Sequence, residues 1–281
     1  MATQPSRGEH PRSVTVIASL TNGSSWTRPL GSKVPETSAT FWSLTFLATA
    51  VGETGADYLS HHSGLGLPAT TATMGLLLTG VLICQVSSSR CLPGWYWPAT
   101  ILASVVATLL SKDLIGIPGM SVWTVTATVA AVLVASLTGW YIAERTVSIH
   151  SVLNRRREVW FWGTVLCIFA LGASVEDLVL GKLGLGHASE VLVLSVLVGV
   201  IALAYAERKR NAVLAFWGAY AVVQPLGGVI GHSLTATSRS GGLGRGASTT
   251  SACLLALIVV VYGVSTTGRH RSHQKLHLPS G

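Results

Sequence analysis

Charged residues fall along this chain in short clusters, and between the clusters lie long runs in which apolar residues are interrupted by few charges. Such runs occur at Phe41 to Leu59, Ala69 to Val86, Trp95 to Ile115, Ser121 to Ala143, Val159 to Val179, Ala188 to Ala206, Ala212 to Leu234 and Thr249 to Val264. Each approaches the length of about 20 residues with which an α-helix crosses roughly 30 Å of hydrocarbon. The pattern predicts an all-α membrane protein with eight transmembrane helices. Residues 1–39, rich in Ser, Thr and Pro, read as a disordered tail. Residues 269–281 read as a short basic tail, which leaves 40–268 as the membrane domain.

Composition supports this reading and adds an orientation. Only 11% of the 281 residues are Asp, Glu, Lys or Arg and 49% are apolar, against about 25% charged in soluble domains. The four cysteines, Cys84, Cys91, Cys167 and Cys253, form no CxxC pair, which excludes a disulfide scaffold. Fifteen of the 19 lysines and arginines fall in the amino tail, the even-numbered loops and the carboxyl tail. Basic residues near span ends are retained in the cytoplasm, so both termini are expected there, in a multi-pass protein of the cell (inner) membrane. The net charge of +8 follows from that bias. Anionic lipid heads are then the expected neighbours of the basic loops, and no nucleic-acid partner is called for.

The odd-numbered spans repeat one another. Phe41-Trp42 is followed by Gly52 and Asp57, Phe161-Trp162 by Gly172 and Asp177, and Phe216-Trp217 by Gly227 and His232, always at 11 and 16 residues from the Phe. Trp97 and Asp113 keep the offset of 16, with Thr108 in the glycine's place. This predicts four parallel two-helix repeats, at approximately 40–90, 94–146, 159–208 and 211–267, related by an axis along the membrane normal. At a rise of about 1.5 Å per residue, the polar positions sit about 24 Å from the aromatic level, in the outer half of the membrane. Glu53 and Asp57 share a helical face, and Ala48, Gly52 and Ala56, like Gly227 and Gly231, are spaced for close helix approach.

These residues resemble a bacterial membrane-protein family built from four copies of a repeat of unknown function, number 347. The likeness is carried by Phe41-Trp42 with Gly52-Glu53-Thr54-Gly55-Ala56-Asp57-Tyr58-Leu59, and by Glu144-Arg145-Thr146-Val147-Ser148-Ile149-His150-Ser151 followed by Arg155-Arg156-Arg157-Glu158. It implies an eight-helix fold and no established substrate. The chain departs from the family at Gln224, which stands for Arg ahead of Pro-Leu-Gly, at His232, which stands for Asp, and at Glu176, where a small residue is usual.

Five carboxylates, Glu53, Asp57, Asp113, Glu176 and Asp177, lie inside apolar spans. A charge at the bilayer centre costs about 2.5 to 3.5 kcal/mol on insertion scales, so water, protons, a bound cation or basic side chains must offset them. With His232 and Gln224 they are candidates for binding a transported cation or small solute, with protons as a coupling ion. The competing reading is a non-transporting scaffold or sensor in which these groups only fix helix packing. Lys112 is expected to snorkel or to neutralise an acid of another repeat. His61, His62 and His187 form a weaker set that could ligate a metal. The loop carrying Glu144, Arg145, His150, Arg155, Arg156, Arg157 and Glu158 is either a topology anchor or a charge latch pairing Glu144 with Arg145 and Arg157 with Glu158. No HExxH, nucleophile elbow or catalytic triad order occurs, so enzymatic activity is not expected. The sequence leaves an oligomer open.

Overall fold

The computed structural model describes residues 33–89, 91–182, 189, 191–197, 199–200, 212–236, 244 and 246–275. Its helices are α1 Ala39–His62, α2 Leu67–Ser87, α3 Pro93–Ile115, α4 Val122–Glu144, α5 Arg155–Lys182, α6 (helical residues 191–197), α7 Ala212–Thr235 and α8 Ala247–Lys275. A single turn of 3-10 helix, Ile149–Ser151, lies between α4 and α5. No strand occurs among the described residues. The starts are encoded locally. Ser38 Oγ accepts from Phe41 N at the head of α1, Ser121 Oγ accepts from Thr124 N at the head of α4, and α2 and α3 open on Pro68 and Pro93.

Helices α1, α3, α5 and α7 form a closed inner ring in which α1 packs on α3, α3 on α5, α5 on α7 and α7 back on α1. Their aromatic residues meet in the same order. Phe41 lies 5.9 Å from Trp97, Tyr96 6.5 Å from Phe161, Phe161 6.1 Å from Trp217, and Phe216 6.2 Å from Phe41. The four inner helices therefore run parallel with their first turns level, as the repeat requires. The aromatic residues do not form a belt facing lipid, however; Phe41, Tyr96, Trp97, Phe161, Trp162, Phe216 and Trp217 are buried and plug one end of the ring.

In the three repeats whose second helix lies fully within the described residues, that helix does not pack chiefly on its own partner. It is offset by one repeat: α2 lies on α3, α4 on α5, and α8 on α1. An outer layer results, and its exposure is that of a lipid-facing surface. Only 11% of the apolar stretch is buried in each of α2, α4 and α8, against 56% in α3, 61% in α5 and 56% in α7. Leu76, Leu77 and Ile83 on α2, Val132 and Val134 on α4, and Val259, Val260 and Val264 on α8 project outward.

Among the described residues six helices are long and apolar enough to span a membrane: α2, α3, α4, α5, α7 and α8. Helix α1 is not among them, although the sequence pattern counts it as a span. Its deficit in hydropathy has a structural cause: α1 packs against α3, α7 and α8 and buries Thr45, Thr49, Glu53 and Thr54. Of the expected span from Ala188 to Ala206, residues 189, 191–197 and 199–200 are helical and the rest lies outside the described residues. Helix α8 continues to Lys275, into the stretch read from sequence as a tail.

The repeat glycines sit where ring neighbours cross. A Cβ on Gly52 would lie 1.9 Å from Ser104 Oγ of α3, one on Gly172 2.5 Å from Gln224 Cγ of α7, and one on Gly227 1.9 Å from Thr49 Oγ1 of α1. Gly231 faces the Ala50 carbonyl of α1 at 2.9 Å in the same sense. Small residues let backbones approach in lipid, where apolar side chains have no water to escape. We expect Gly52→Val and Gly227→Val each to lower stability by about 1 to 3 kcal/mol through overpacking. Gly80→Val, where a Cβ would meet nothing within 4 Å, is expected to be neutral within about 0.5 kcal/mol. Thermal melts of the three variants in one detergent check this.

Candidate functional site

Beyond the aromatic plug, the ring interior turns polar and then charged. Glu53 and Asp57 lie one turn apart on α1, and Glu53 is only 5% exposed. Lys112, near the end of α3, donates from Nζ to Glu53 Oε1 at 3.1 Å and also to the Asp57 carboxylate. His232 of α7 joins them: one ligand atom each from Glu53, Asp57 and His232 all lie within 4.8 Å of one another. Asp177 of α5 is within electrostatic reach of Glu53, Asp57 and Lys112. Each inner helix thus contributes an ionisable group near its carboxyl-terminal end. Glu53 forms the buried floor, whereas Asp57, Lys112, Asp177 and His232 are half-buried and open toward the end of the ring opposite the aromatic plug.

Two further sequence candidates lie against this cluster. Glu176 is buried on α5, and a Cβ on Gly228 of α7 would sit 1.9 Å from its Oε2, so the missing side chain of Gly228 makes room for the carboxylate. Gln224, 1% exposed, accepts from Ser104 Oγ at 3.3 Å. Its Nε2 has no hydrogen-bond partner among the described residues, and neither do the buried hydroxyls of Thr108 and Ser111 on α3. Ser104 is the residue that Gly52 faces, so the Gln224 amide lies beside α1 at the level of Glu53. Buried polar groups are normally satisfied, and unpaired ones next to a charged cluster are where water or a polar ligand fits.

Other expectations need correction. Asp113 has no hydrogen bond or ion pair among the described residues, and its neighbour Lys112 enters the cluster instead, because residues i and i+1 point away from each other. His61 and His62 lie on the last turn of α1. Their Nδ1 atoms engage the carbonyls of Asp57 at 2.8 Å and Tyr58 at 3.0 Å, and His62 stacks on Tyr58 at 4.6 Å. They close the last turn of α1. His187 lies outside the described residues. The group with the spacing of a cation site is Glu53, Asp57 and His232.

At the aromatic end, the loop motif is paired differently from the expected latch. Glu144 takes Arg157 Nε at 2.7 Å and Arg156 Nε at 3.1 Å. Arg145 turns away, capping α4 in the left-handed region at φ 58° with its N–H on the Tyr141 carbonyl. His150 is exposed on the 3-10 turn. Arg155 donates to the Ser87 carbonyl at 3.0 Å. Glu158 is paired not with Arg157 but with Lys33, at 2.7 Å, the two side chains being 0% and 3% exposed. Gln85 Nε2 donates to the second Glu158 oxygen at 3.0 Å, and Lys33 Nζ also reaches the Val86 and Ser88 carbonyls. Sequence reading counted Lys33 among the charges of a disordered tail; one cation among Ser, Thr and Pro carries no signal that it is buried. Three arginines directly before Glu158 offer nearer partners in the sequence, so nothing local pointed to Lys33.

Long apolar helices, an outer layer of bare hydrophobic side chains and a cluster of ionisable groups held between the inner helices define a polytopic membrane protein. Residues 40–90, the segment from α1 through α2, match the family model described as Repeat of Unknown Function (DUF347). Within that segment lie Phe41-Trp42 and the run from Gly52 to Leu59 on which the resemblance rests. No curated protein and no solved structure matches the chain.

Removing one partner from a buried ion pair costs about 3 to 5 kcal/mol, because the other charge is left without compensation. Lys33→Met is therefore expected to destabilise by about that amount and Lys33→Met with Glu158→Gln by clearly less. Lys112 is 24% exposed, so Lys112→Met is expected to cost only about 1 to 3 kcal/mol, with partial recovery on adding Asp57→Asn. Melting temperatures of the single and double variants give both comparisons.

Proposed function

We propose that the protein is a cell-membrane transporter of a cation or small cationic solute, with Glu53, Asp57 and His232 as ligands and Lys112 as a tethered competitor. The observation that carries this reading is the engagement of one ammonium by two carboxylates of another repeat, with His232 within ligand distance of both. An ammonium held there marks a place whose field favours a positive charge. A cation that displaces Lys112 meets two carboxylate oxygens and an imidazole, a donor set suited to zinc or manganese and open to an organic ammonium.

The remaining parts fit alternating exposure of this site. The basic loops orient the aromatic plug toward the cytoplasm and the charged cluster outward. The plug is then the closed gate. Pro225 lies within α7 beside Gly172 of α5, where it removes one backbone hydrogen bond and gives the ring a place to bend.

A scaffold or sensor is the second reading, favoured by the same lysine: Lys112 already neutralises Glu53 and Asp57, so no substrate is needed to stabilise them. Flux distinguishes the two. In vesicles holding the purified protein, uptake of zinc, manganese or methylammonium is expected for wild type. Asp57→Asn and Asp177→Asn are expected to lose at least about tenfold of the rate while keeping their melting behaviour. Uptake unchanged by both substitutions refutes the transporter reading. Silent acid substitutions together with loss of function on reversing the charges of Arg155, Arg156 and Arg157 support the scaffold.

A further inference from the structure

The offset packing leaves a groove on the lipid-facing side. Because α2 lies on α3 and only brushes α5, the α2 and α5 helices diverge above α3 and enclose a cavity of about 460 Å³. Leu78, Leu82, Ile83 and Val86 form one wall, Val159 and Leu166 the other. The floor is bare, since Ala103 of α3 has only a methyl group, and beside it on the α5 wall a Cβ on Gly163 would meet nothing within 4 Å. At the end where α2 stops and α5 starts, the lining changes to Ser87 and Arg155.

We infer that this groove binds one acyl chain of an anionic phospholipid, with Arg155 and the first turn of α5 holding its phosphate. Length, chemistry and charge agree. From Leu78 to Ser87 the helix rises about 13 Å at roughly 1.5 Å per residue, enough for much of an acyl chain entering from the head-group level. The walls are mostly aliphatic through that depth, joined by the Trp162 ring and by Thr79, whose hydroxyl is spent on the Gly75 carbonyl. Arg155 is exposed and spends one N–H on the Ser87 carbonyl, which fixes the guanidinium at the groove mouth and leaves its other donors for a phosphate oxygen. Neighbouring Arg156 is exposed as well, and the positive end of the α5 dipole adds to the field. The carboxylates nearby are already engaged, Glu158 by Lys33 and Glu144 by Arg156 and Arg157, so neither opposes an anion at Arg155 with a free charge. The site is independent of the cluster around Lys112 and does not rest on transport.

Native mass spectrometry of the full-length protein tests this, with phosphatidylglycerol and phosphatidylcholine of identical chains added in equal amounts after delipidation. Wild type is expected to retain one phosphatidylglycerol in preference to phosphatidylcholine. Arg155→Gln is expected to cut that preference about fivefold, the effect of one arginine near a charged surface, with retention of lipid in general preserved. Gly163→Leu fills the floor and is expected to abolish retention of both lipids. Absence of any preference in wild type overturns the proposal, and so does unchanged preference in Arg155→Gln, which decides the matter even where Gly163→Leu fails to fold. Zinc or methylammonium flux is expected to persist in Arg155→Gln, which separates this site from the central one.

Discussion

Everything in this molecule depends on four parallel helices approaching one another more closely than ordinary side chains allow. In water, a ring of helices is driven together by burying apolar surface; in lipid that drive is absent, and backbone proximity with the contacts it permits must replace it. Gly52, Gly172 and Gly227 each face the next inner helix at a distance that excludes a Cβ, and they recur because each repeat meets the same crossing. Where α3 has Thr108 instead of glycine, its hydroxyl is buried at the ring interior. A ring this tight has a narrow interior, so what fills it decides the function: aromatic residues at one end, hydroxyls and the Gln224 amide midway, and charges at the other.

Outer helices α2, α4 and α8 lock the ring by covering the repeat that follows their own. The first repeat does not complete its own packing, and α1 is finished only when α8 arrives, joined by the Ser251 hydroxyl donating to Thr54 at 2.7 Å. First and last helices are thereby bound together, across 197 residues of sequence. The same offset explains why α1 tolerates Thr45, Thr49, Glu53 and Thr54: three helices shield it, so its polar groups never meet hydrocarbon. It also opens the groove between α2 and α5, since a helix laid on its neighbour's partner leaves a gap on its far side.

Helix positions, the parallel sense of the repeats and the glycine crossings were legible from the sequence because period and spacing encode them. The level of the charged cluster was legible too, since 16 residues of helix convert directly into depth. What spacing does not encode is which helix covers which. A short loop between α1 and α2 suggests a packed hairpin, whereas the observed neighbour of α2 is α3. Nor does spacing say which of two adjacent residues turns inward, so Asp113 stood in the place that Lys112 takes. Lys33 and the pairing of Glu144 with Arg156 and Arg157 depend on chain segments meeting in space, and no local pattern announces them. The contacts of His61 and His62 with the carbonyls of Asp57 and Tyr58 are local, one turn back along α1, yet the pair of histidines alone does not announce them.

Departures from strict repetition are what turn a symmetric ring into a one-sided site. At the position one residue before the terminal acid, the four repeats carry Ala56, Lys112, Glu176 and Gly231. The two small residues bring α1 and α7 together, as the contact of Gly231 with the Ala50 carbonyl demonstrates. The two long side chains reach across the interior instead. Lys112 meets the acids of α1, and Glu176 lies against Gly228, which occupies in α7 the place that Glu53 occupies in α1. Four identical acids at one level would repel one another with no counter-charge, in a medium that screens poorly. Replacing the last with His232 and inserting Lys112 relieves that repulsion and gathers the remaining negative charge on the α1 side, beside the imidazole. A cation entering from the open end would therefore meet a directional site, not a symmetric hole.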